Sequence, residues 1–532
     1  MNLHRILIIA IIFTIFISCK NEPQTTQNQE EVTTSNVVWH EEEHRPQFHF
    51  SPKENWMNDP NGMVYYEGEY HLFYQYHPES TIWGPMHWGH AISTDLVHWE
   101  HLPIALEPDE LGYIFSGSAV VDWNNTTGFG TKEKPPLVAM FTYHNMEGEK
   151  NGEHNFQTQG LAYSTDKGRT WTKYEGNPVI PNTENIHDFR DPKVFWHQDS
   201  EKWVMALAAF DKIKIYTSDD LKSWTFASDF GEGHGSQARP WECPDLFQLT
   251  DENGVSKWVL LVSIGDRTEL TAPNGGTGTQ YFIGSFDGKT FVNENPKETT
   301  LWLDYGTDNY AGVTWSDVPE EDGRRLFIGW MSNWKYAQIV PTKNWRSAMT
   351  LPRQLALGKT DQGYRLIINP IKELTKLRGK NVSLGVGELG ATQVIDMEFK
   401  PTLSEVIVEF DPTKATHPFG IELRNGRGEY IRVTFDKKFN GFFVDRTGSG
   451  KGDFYPAFRT THAAQRSYNS DNVKMHLFFD KSSVELFADD GQINMTETFF
   501  PNEDFTEMAL YIENGVVDFK GGQVHELKSI WN

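Results

Sequence analysis

Short apolar runs alternate with polar turns from about residue 48 to the end of the chain. Runs rich in aromatic and β-branched residues, such as Trp258-Val-Leu-Leu-Val-Ser263, are separated by Gly, Asp and Asn. This pattern is typical of β-strands joined by turns. Before about residue 350, no long segment repeats with the helical period of about 3.6 residues. The pattern therefore predicts an all-β protein.

One pair of strands recurs along the first part of the chain. Each unit begins with an apolar strand that starts beside a polar or acidic residue. A second apolar strand follows it. Many units then have a hairpin tip that begins with Asp and ends with an aromatic residue. The first strands begin at Asp59, Phe115, Arg190, Glu242 and Tyr310. Five such units predict a five-bladed β-propeller, in which the first strands line a central axis. We therefore expect the acids at their starts to converge at one end of that axis.

A second β-rich region follows a change in the pattern. Ile371-Lys-Glu-Leu-Thr-Lys-Leu377 predicts a short helical connector, and alternating strands return from about Val382. Several strands in this region predict a C-terminal β-sandwich. The predicted organisation is a signal peptide over 1–18, a disordered tether over 19–44, the propeller over 45–355, a linker over 356–381 and the sandwich over 382–532.

The N-terminus has the features of a targeting segment. Arg5 precedes the apolar stretch Ile6 to Ile17, which is too short to span a bilayer comfortably. Ser18-Cys19 then resembles a bacterial lipoprotein signal, with cleavage before Cys19 and lipid on its sulfur. An ordinary signal peptide with an incidental cysteine is the alternative. We expect an exported protein that is anchored to a bacterial membrane, on the cell surface or the periplasmic side.

Charge and composition narrow the partners. The net charge of −25 disfavours nucleic acid as a partner. Aromatic residues make up 14% of the chain, which suits a protein that binds sugar rings, and packing of β-sheets is the alternative explanation. His40-Glu-Glu-Glu-His44 fits the pattern of zinc proteases, but it follows the tether and has no apolar helix face. The sequence therefore predicts neither a metal site nor a cofactor.

Three carboxylate motifs carry the chemistry. They are Trp56-Met-Asn-Asp-Pro-Asn-Gly62, Phe189-Arg-Asp-Pro192 and Trp241-Glu-Cys-Pro244. Together with Trp88-Gly-His-Ala-Ile-Ser-Thr-Asp-Leu-Val-His-Trp99, their order resembles glycoside hydrolase family 32, the family of invertases, inulinases and levanases. The resemblance runs from about Arg45 to the C-terminus. It implies cleavage of β-fructofuranosyl linkages in levan, inulin or sucrose. A propeller whose axis is filled by side chains leaves a closed pocket rather than an open cleft, so we expect the enzyme to remove a terminal fructose. A longer groove with endo action is the alternative.

Cleavage with retention needs two carboxyl groups, and a third charge can assist them. One carboxylate attacks the anomeric carbon, and a second carboxyl protonates the leaving oxygen and then deprotonates water. A third charge stabilises the transition state. The resemblance assigns Asp59 as nucleophile, Asp191 as stabiliser and Glu242 as general acid/base.

The resemblance also implies a set of substrate-binding residues. Either Trp330 or Trp334 is expected to form a wall of the sugar pocket. For Trp83 and Phe115, packing in the core is the alternative to substrate contact. The set is Trp56, Asn58, Gln75, Trp83, Phe115, Ser116, Arg190, Trp330 and Trp334.

Two other functions fit parts of the pattern. A five-bladed arabinan or xylan hydrolase also uses three carboxylates but usually inverts the anomeric centre. A surface lipoprotein that binds fructan with a catalytically dead site would keep the fold without the reaction. The Trp56–Gly62 motif and the sandwich favour the fructan hydrolase over the first, and the presence of all three acids disfavours the second.

Overall fold

The computed structural model describes residues 38–268, 270–468 and 470–531. The predicted signal peptide, the lipidation site Cys19 and the predicted tether up to residue 37 lie outside the described residues. The end of that predicted tether is ordered, since Trp39–Glu41 forms a 3-10 helix. The Trp39 ring packs against Trp531, and the Arg45 guanidinium lies 5.1 Å from the Trp39 ring centre.

Five antiparallel sheets follow one another along the chain and form the blades of a propeller. Blade one contains β1 (Asn55–Tyr66), β2 (Glu69–His77), β3 (His87–Ser93) and β4 (Glu100–Leu106). Blade two contains β5 (Tyr113–Val121), β6 (Leu137–His144), β7 (Gln157–Ser164) and β8 (Thr172–Lys173), with helix α1 (Met146–Lys150) between β6 and β7. Blade three contains β9 (Phe189–His197), β10 (Lys202–Ala209), β11 (Ile213–Ser218) and β12 (Thr225–Phe230).

The last two blades are less regular. Blade four contains β13 (Trp241–Thr250), β14 (Ser256–Ile264), β15 (Gly278–Phe286), β16 (Phe291–Asn293) and β17 (Leu301–Trp302). Blade five contains β18 (Tyr310–Thr314) and β19 (Arg325–Met331), and β20 (Trp345–Arg346) pairs in parallel with β1 of blade one. Blade five is completed by β21 (Ala348–Met349), β22 (Arg353–Thr360) and β23 (Gly363–Pro370).

Blade five is longer than the sequence predicted. Strands β22 and β23 lie largely within 356–381, where we expected a linker, and they pair with β19 and with each other. The alternation is visible in β22, where Leu355 and Leu357 are buried against the core of blades four and five. The expected helical connector is a short 3-10 helix, Lys372–Leu377.

The inner strands β1, β5, β9, β13 and β18 contact one another in order around the axis, and β18 also contacts β1. The ring of blades is therefore closed. Because all five inner strands belong to equivalent positions in their blades, their starts lie at the same end of the axis. This arrangement places Asp59, Asp191 and Glu242, which lie near the starts of three inner strands, at one opening.

The C-terminal region is a β-sandwich of two antiparallel sheets that pack on one apolar core. One sheet has the order β24-β36-β27-β32-β33-β34 with β25 beside β36, and the other has the order β26-β35-β28-β29-β30-β31. The strands are β24 (Arg378–Leu384), β25 (Gly387–Leu389), β26 (Gln393–Val394), β27 (Ser404–Asp411), β28 (Phe419–Arg424), β29 (Tyr430–Asp436), β30 (Gly441–Asp445), β31 (Thr461–Gln465), β32 (Val473–Asp480), β33 (Ser483–Ala488), β34 (Ile493–Thr498), β35 (Glu507–Ile512) and β36 (Val517–Leu527). The remaining 3-10 helices are Gln198–Ser200, Pro412–Lys414 and Asp489–Gly491.

Buried charges join the propeller to the sandwich. Arg353 of blade five forms ion pairs with Asp304 at 2.9 Å and with Glu485 of the sandwich at 2.6 Å. His49, which precedes β1, lies between Asp480 and Glu485. Among the described residues, no helix has the length and apolar character needed to cross a membrane.

Candidate active site

The three acids of the sequence motifs meet at the opening of the propeller. Asp59 and Asp191 lie within irregularities in the pairing of β1 and β9 with their neighbours, and Glu242 borders a similar irregularity in β13. A bulge of this kind redirects a side chain that regular pleating would leave on one face of the sheet. The local backbone thus turns the carboxyls toward the common axis.

Cys243 connects two of these acids. Its backbone N–H donates to Oδ2 of Asp191 at 3.0 Å, and its Sγ lies 3.5 Å from Oδ2 of both Asp59 and Asp191. Burial raises the pKa of the Cys243 thiol well above its ordinary value, and the neighbouring carboxylates raise it further. The thiol therefore stays protonated and acts as a hydrogen-bond donor between the two acids.

Asp59 is held by two polar neighbours. Asn58 donates from Nδ2 to Oδ1 of Asp59 at 3.0 Å, and the Ser116 hydroxyl donates to Oδ2 at 2.8 Å. Trp56 orients Asn58 by donating from Nε1 to its Oδ1 at 2.7 Å. Burial raises the pKa of Asp59 and the charge of Glu242 adds to this effect, whereas the hydrogen bonds from Asn58 and Ser116 oppose it.

Asp191 is the most deeply buried of the three acids. Burial raises the pKa of Asp191 to about 7, and the neighbouring charges of Glu242 and Asp59 contribute to the rise, although the Arg190 guanidinium acts against it. The backbone N–H of Asp191 donates to Oγ1 of Thr142 at 3.0 Å. This contact fixes the bulged segment that presents the carboxyl.

Both oxygens of Glu242 have fixed partners. Arg190 donates to Oε1 from Nε at 3.1 Å and from Nη2 at 2.8 Å, and the Tyr310 hydroxyl donates to Oε2. Arg190 is itself fixed by Asp188, which accepts from Nη1 at 2.5 Å. Burial alone would raise the pKa of Asp188, but Arg190 and Arg267 outweigh it and lower that pKa to about 2.

The acids line a cavity of about 350 Å³, a volume that suits one or two sugar rings. Most of the residues that the sequence predicted for the site line this cavity. They are Asn58, Asp59, Gln75, Trp83, Phe115, Ser116, Arg190, Asp191, Glu242 and Trp334.

Trp56 and Trp330, which we expected to bind substrate, do not line the cavity. Both are fully buried, and their ring centres lie 6.0 Å apart behind Trp334. The Trp334 ring packs at 5.7 Å from Trp56 and at 5.0 Å from Trp330. Of the two tryptophans of blade five, Trp334 forms the wall, and Trp56 and Trp330 support it.

Several residues of the site were not singled out from the sequence. Tyr310 and Cys243 contact the acids directly, and the start of the fifth repeat at Tyr310 was the available signal for the tyrosine. The others lie in loops, in helix α1 and at the ends of β6 and β7, at positions that none of the sequence motifs covers. They are His144, Glu149, Gln157, Asp188, Asp266, Arg267, Thr277 and Gln338.

The arrangement can perform acid–base and nucleophilic chemistry without further groups. Two carboxyls share a hydrogen-bonded floor, and a third is held at the wall by a cation and a phenol. Within the described ranges, no group of three or more His, Cys, Asp or Glu side chains is placed to hold a metal ion. A five-bladed propeller with three carboxyls around a sugar-sized cavity is the architecture of a glycoside hydrolase.

Comparison with known proteins gives the family. Residues 49–370 match the N-terminal domain of glycosyl hydrolases family 32, and residues 373–526 match its C-terminal domain. The chain belongs to this family and is a glycosidase.

The relatives of the chain include a levanase and exo-inulinases. The chain is 50% identical over 508 residues to a levanase from Bacillus subtilis. The matched region covers 93% of this chain and 72% of the levanase. It is 38% identical over 534 residues to an extracellular exo-inulinase of Aspergillus niger, which covers 93% of this chain and 96% of the other. The crystal structure of exo-inulinase from Aspergillus awamori superposes with a TM-score of 0.84 at 36% identity, over 92% of this chain and all of that chain.

Proposed function

We propose that the protein hydrolyses terminal β-D-fructofuranosyl linkages of levan or inulin, and of sucrose, with retention through a covalent fructosyl-enzyme intermediate. The observation that carries the proposal is the convergence of Asp59, Asp191 and Glu242 on one sugar-sized cavity. Membership of family 32 and the names of the levanase and exo-inulinase relatives support the choice of fructan.

Each acid has a role that its surroundings support. Asp59 attacks the anomeric carbon while Glu242 gives its proton to the leaving oxygen, so that the glycosidic bond breaks as the ester bond forms. Glu242 then takes a proton from water, and the resulting hydroxide attacks the anomeric carbon and releases Asp59. Asp191 holds sugar hydroxyls and stabilises the positive charge of the transition state. Its fixed position behind the bulge of β9 supports this role.

The remaining cavity residues hold the fructose. Asn58, Gln75 and Arg190 present amide and guanidinium groups to ring hydroxyls, and Ser116 holds the nucleophile. Trp83, Phe115 and Trp334 offer apolar ring faces, which suit the C–H face of a sugar.

The small volume of the cavity, about 350 Å³, favours exo action. A subsite that surrounds one fructose binds all of its free hydroxyl groups. In an internal fructose of the polymer, one of these hydroxyl groups is already part of a glycosidic linkage and cannot bind in this way. We therefore expect free fructose from levan and inulin from the first time point. A ladder of fructo-oligosaccharides that appears before free fructose would indicate an endo-acting groove.

One experiment separates this function from its alternatives. Sucrose, inulin and levan are hydrolysed in parallel, and NMR identifies the first anomer of fructose that is released. Retention requires that β-fructose appears first and then mutarotates. First release of α-fructose would indicate the inverting mechanism of the arabinan and xylan hydrolases, and binding without any hydrolysis would indicate a fructan-binding protein.

We further propose that residues 1–18 are a lipoprotein signal peptide and that the exported protein is anchored through Cys19. The Ser18-Cys19 pair after a short apolar stretch supports the anchor, and the extracellular relative supports export. The protein expressed in a bacterium is expected in the membrane fraction, and Cys19→Ser in the soluble exported fraction. If both variants are soluble after export, the segment is an ordinary signal peptide.

A further inference from the structure

A second cavity opens at the other end of the propeller axis. Its volume is about 590 Å³, and it is lined by residues at or near the ends of inner strands, among them Val121, Phe195 and Phe247. Phe195 lies four residues beyond Asp191 on β9, which at the rise of a strand corresponds to about 13 Å. The cavity is therefore separate from the catalytic one.

A set of polar contacts lies between the two cavities along the axis. Lys193 of β9 donates to the carbonyl oxygen of Thr314 at 2.7 Å and forms an ion pair with Oδ2 of Asp245 at 3.2 Å. The same Oδ2 accepts from the N–H of Thr314 at 2.6 Å. These contacts join three inner strands and form the floor of the second cavity.

Two charged groups that line this cavity keep unused hydrogen-bonding capacity. Glu320 is exposed, and its carboxylate accepts no hydrogen bond from the described residues. Asp245 is fully buried and is enclosed by its neighbours, so it supports the floor without meeting a ligand. Arg325 lies with its guanidinium 5.0 Å from the ring centre of Phe247, and its side chain donates no hydrogen bond to the described part of the chain. A ligand hydroxyl can accept a hydrogen bond from Arg325 and donate one to Glu320, since a hydroxyl group does both.

The rim of the cavity is aromatic and pre-positioned. Trp123 has 54% of its surface exposed, yet its Nε1 donates to Oδ1 of Asp317 at 2.8 Å. Asp317 is fixed in turn because its Oδ2 accepts from the N–H of Val121 at 2.9 Å. Half-buried Trp196 and Trp258 line the same cavity from blades three and four. Because the hydrogen bond already fixes the orientation of this exposed indole, little conformational entropy is lost when a ligand binds to it.

The charges of the cavity select a neutral ligand. Asp245, Asp317 and Glu320 oppose an anion, whereas Lys193 and Arg325 oppose a cation. Aromatic faces at the rim, the donor Arg325 and the acceptor Glu320 fit a molecule that has C–H faces and many hydroxyl groups. That description is the chemistry of an uncharged oligosaccharide.

We propose that this cavity is a second carbohydrate-binding site, which holds a fructan chain remote from the catalytic cavity. The assignment of fructan as the ligand rests on the proposed function. The assignment of an uncharged carbohydrate rests on the aromatic rings and the polar groups that line the cavity. Because the two sites lie at opposite ends of the axis, the second site retains the enzyme on the polymer while chain ends enter the catalytic cavity. It raises the effective concentration of ends and has no effect on a short substrate.

Two measurements on the full chain test the site. In the first, the inactive variant Asp59→Ala migrates through native gels that contain levan or inulin, with and without the added change Trp123→Ala. Loss of the platform is expected to weaken retention by the polymer by about threefold or more. Trp123→Phe keeps an aromatic face but loses the hydrogen bond to Asp317, so its retention is expected to lie between those of the parent and Trp123→Ala. Phe226→Ala removes an exposed ring outside the cavity and is the matched control.

In the second measurement, Trp123→Ala is made in the active enzyme. The apparent KM for levan or inulin is expected to rise about threefold or more, whereas kcat/KM for sucrose stays unchanged. Equal retention of the parent and Trp123→Ala in both gels would overturn the proposal, as would equal loss in Phe226→Ala. Absence of sucrose hydrolysis in the unaltered protein would instead count against the proposed function, and the gels would still report on the second site.

Discussion

Tyr310 donates its hydroxyl hydrogen to Oε2 of Glu242, although the two residues lie on different blades. Tyr310 is fully buried, and burial raises its pKa well above the ordinary value, with the charge of Glu242 adding to the rise. The phenol therefore stays protonated, and remains a hydrogen-bond donor, at acidic and neutral pH. Because Arg190 holds Oε1, the tyrosine fixes the remaining oxygen and thereby the plane of the carboxyl.

Removal of this hydroxyl is expected to impair the reaction. In Tyr310→Phe, the Glu242 carboxyl keeps Arg190 but can rotate, so kcat/KM for sucrose is expected to fall by about 10- to 100-fold, as misplaced catalytic groups do. Steady-state kinetics measures the loss. Tyr281→Phe is the matched control, since Tyr281 is a buried tyrosine of blade four whose hydroxyl accepts from Leu366 outside the cavity. Equal activity of the two variants would show that the contact does not position Glu242.

Substitution of Asp59 tests the nucleophile. Asp59→Ala is expected to lose about 10⁴-fold or more in kcat, because no other group can form the covalent bond. Circular dichroism is expected to be unchanged. Asp287→Ala removes an exposed acid that caps a hairpin tip of blade four, and it should keep full activity. Activity of Asp59→Ala within tenfold of the unaltered enzyme would remove this residue from the role.

The Ser116 hydroxyl controls the acidic limb of the pH profile. It donates to the Asp59 carboxylate and so favours the ionised form, which lowers the pKa of Asp59 against the effect of burial. Without this donor, Asp59 remains protonated, and therefore inactive, up to a higher pH. In Ser116→Ala, the acidic limb of kcat/KM is expected to move up by about one pH unit. Ser116→Thr, which keeps the hydroxyl, should restore the profile, and an unmoved limb in Ser116→Ala would contradict the argument.

His49 makes stability depend on pH at the junction of propeller and sandwich. Burial alone would lower its pKa, but hydrogen bonds to Asp480 at 2.8 Å and Glu485 at 2.9 Å outweigh this and raise the pKa to about 9. Because the pKa in the unfolded chain is near 6.5, the stabilising contribution is complete below that pH and is lost as pH rises through about 9.

Thermal unfolding between pH 6 and 10 measures this contribution. The unaltered protein is expected to lose Tm from about pH 7 upward. His49→Gln is expected to be about 3 kcal/mol less stable at pH 6 and to have a flatter profile, because Asp480 loses its cationic partner whereas Glu485 keeps Arg353. His101→Gln is the control, since burial lowers the pKa of His101 to about 3 and keeps it neutral throughout this range. A profile of His49→Gln parallel to that of the unaltered protein would show that His49 does not titrate there.

Much of the architecture could be predicted because the signals are local. Alternation with a period of two and Gly, Asp and Asn turns mark strands wherever they occur, and the five repeated strand pairs indicate a propeller. The three acidic motifs lie at equivalent places in that repeat, so their convergence follows from the radial symmetry of the blades. The limit of blade five was harder to predict, because the residues 356–370 alternate like any surface hairpin and only their pairing with β19 assigns them to the propeller.

The sequence by itself determined the class of fold and the acids that meet at the axis, because both depend on the order of residues along single strands. Only the tertiary structure decided which aromatic rings face the cavity. Trp56, Trp330 and Trp334 are chemically alike, but the first two are enclosed by neighbouring blades and the third is left at the surface of the cavity. It also decided that Tyr310 and Cys243 contact the acids, and that a second cavity opens at the far end. The physical reason is that burial and hydrogen-bond partners depend on packing between blades, which no single strand encodes.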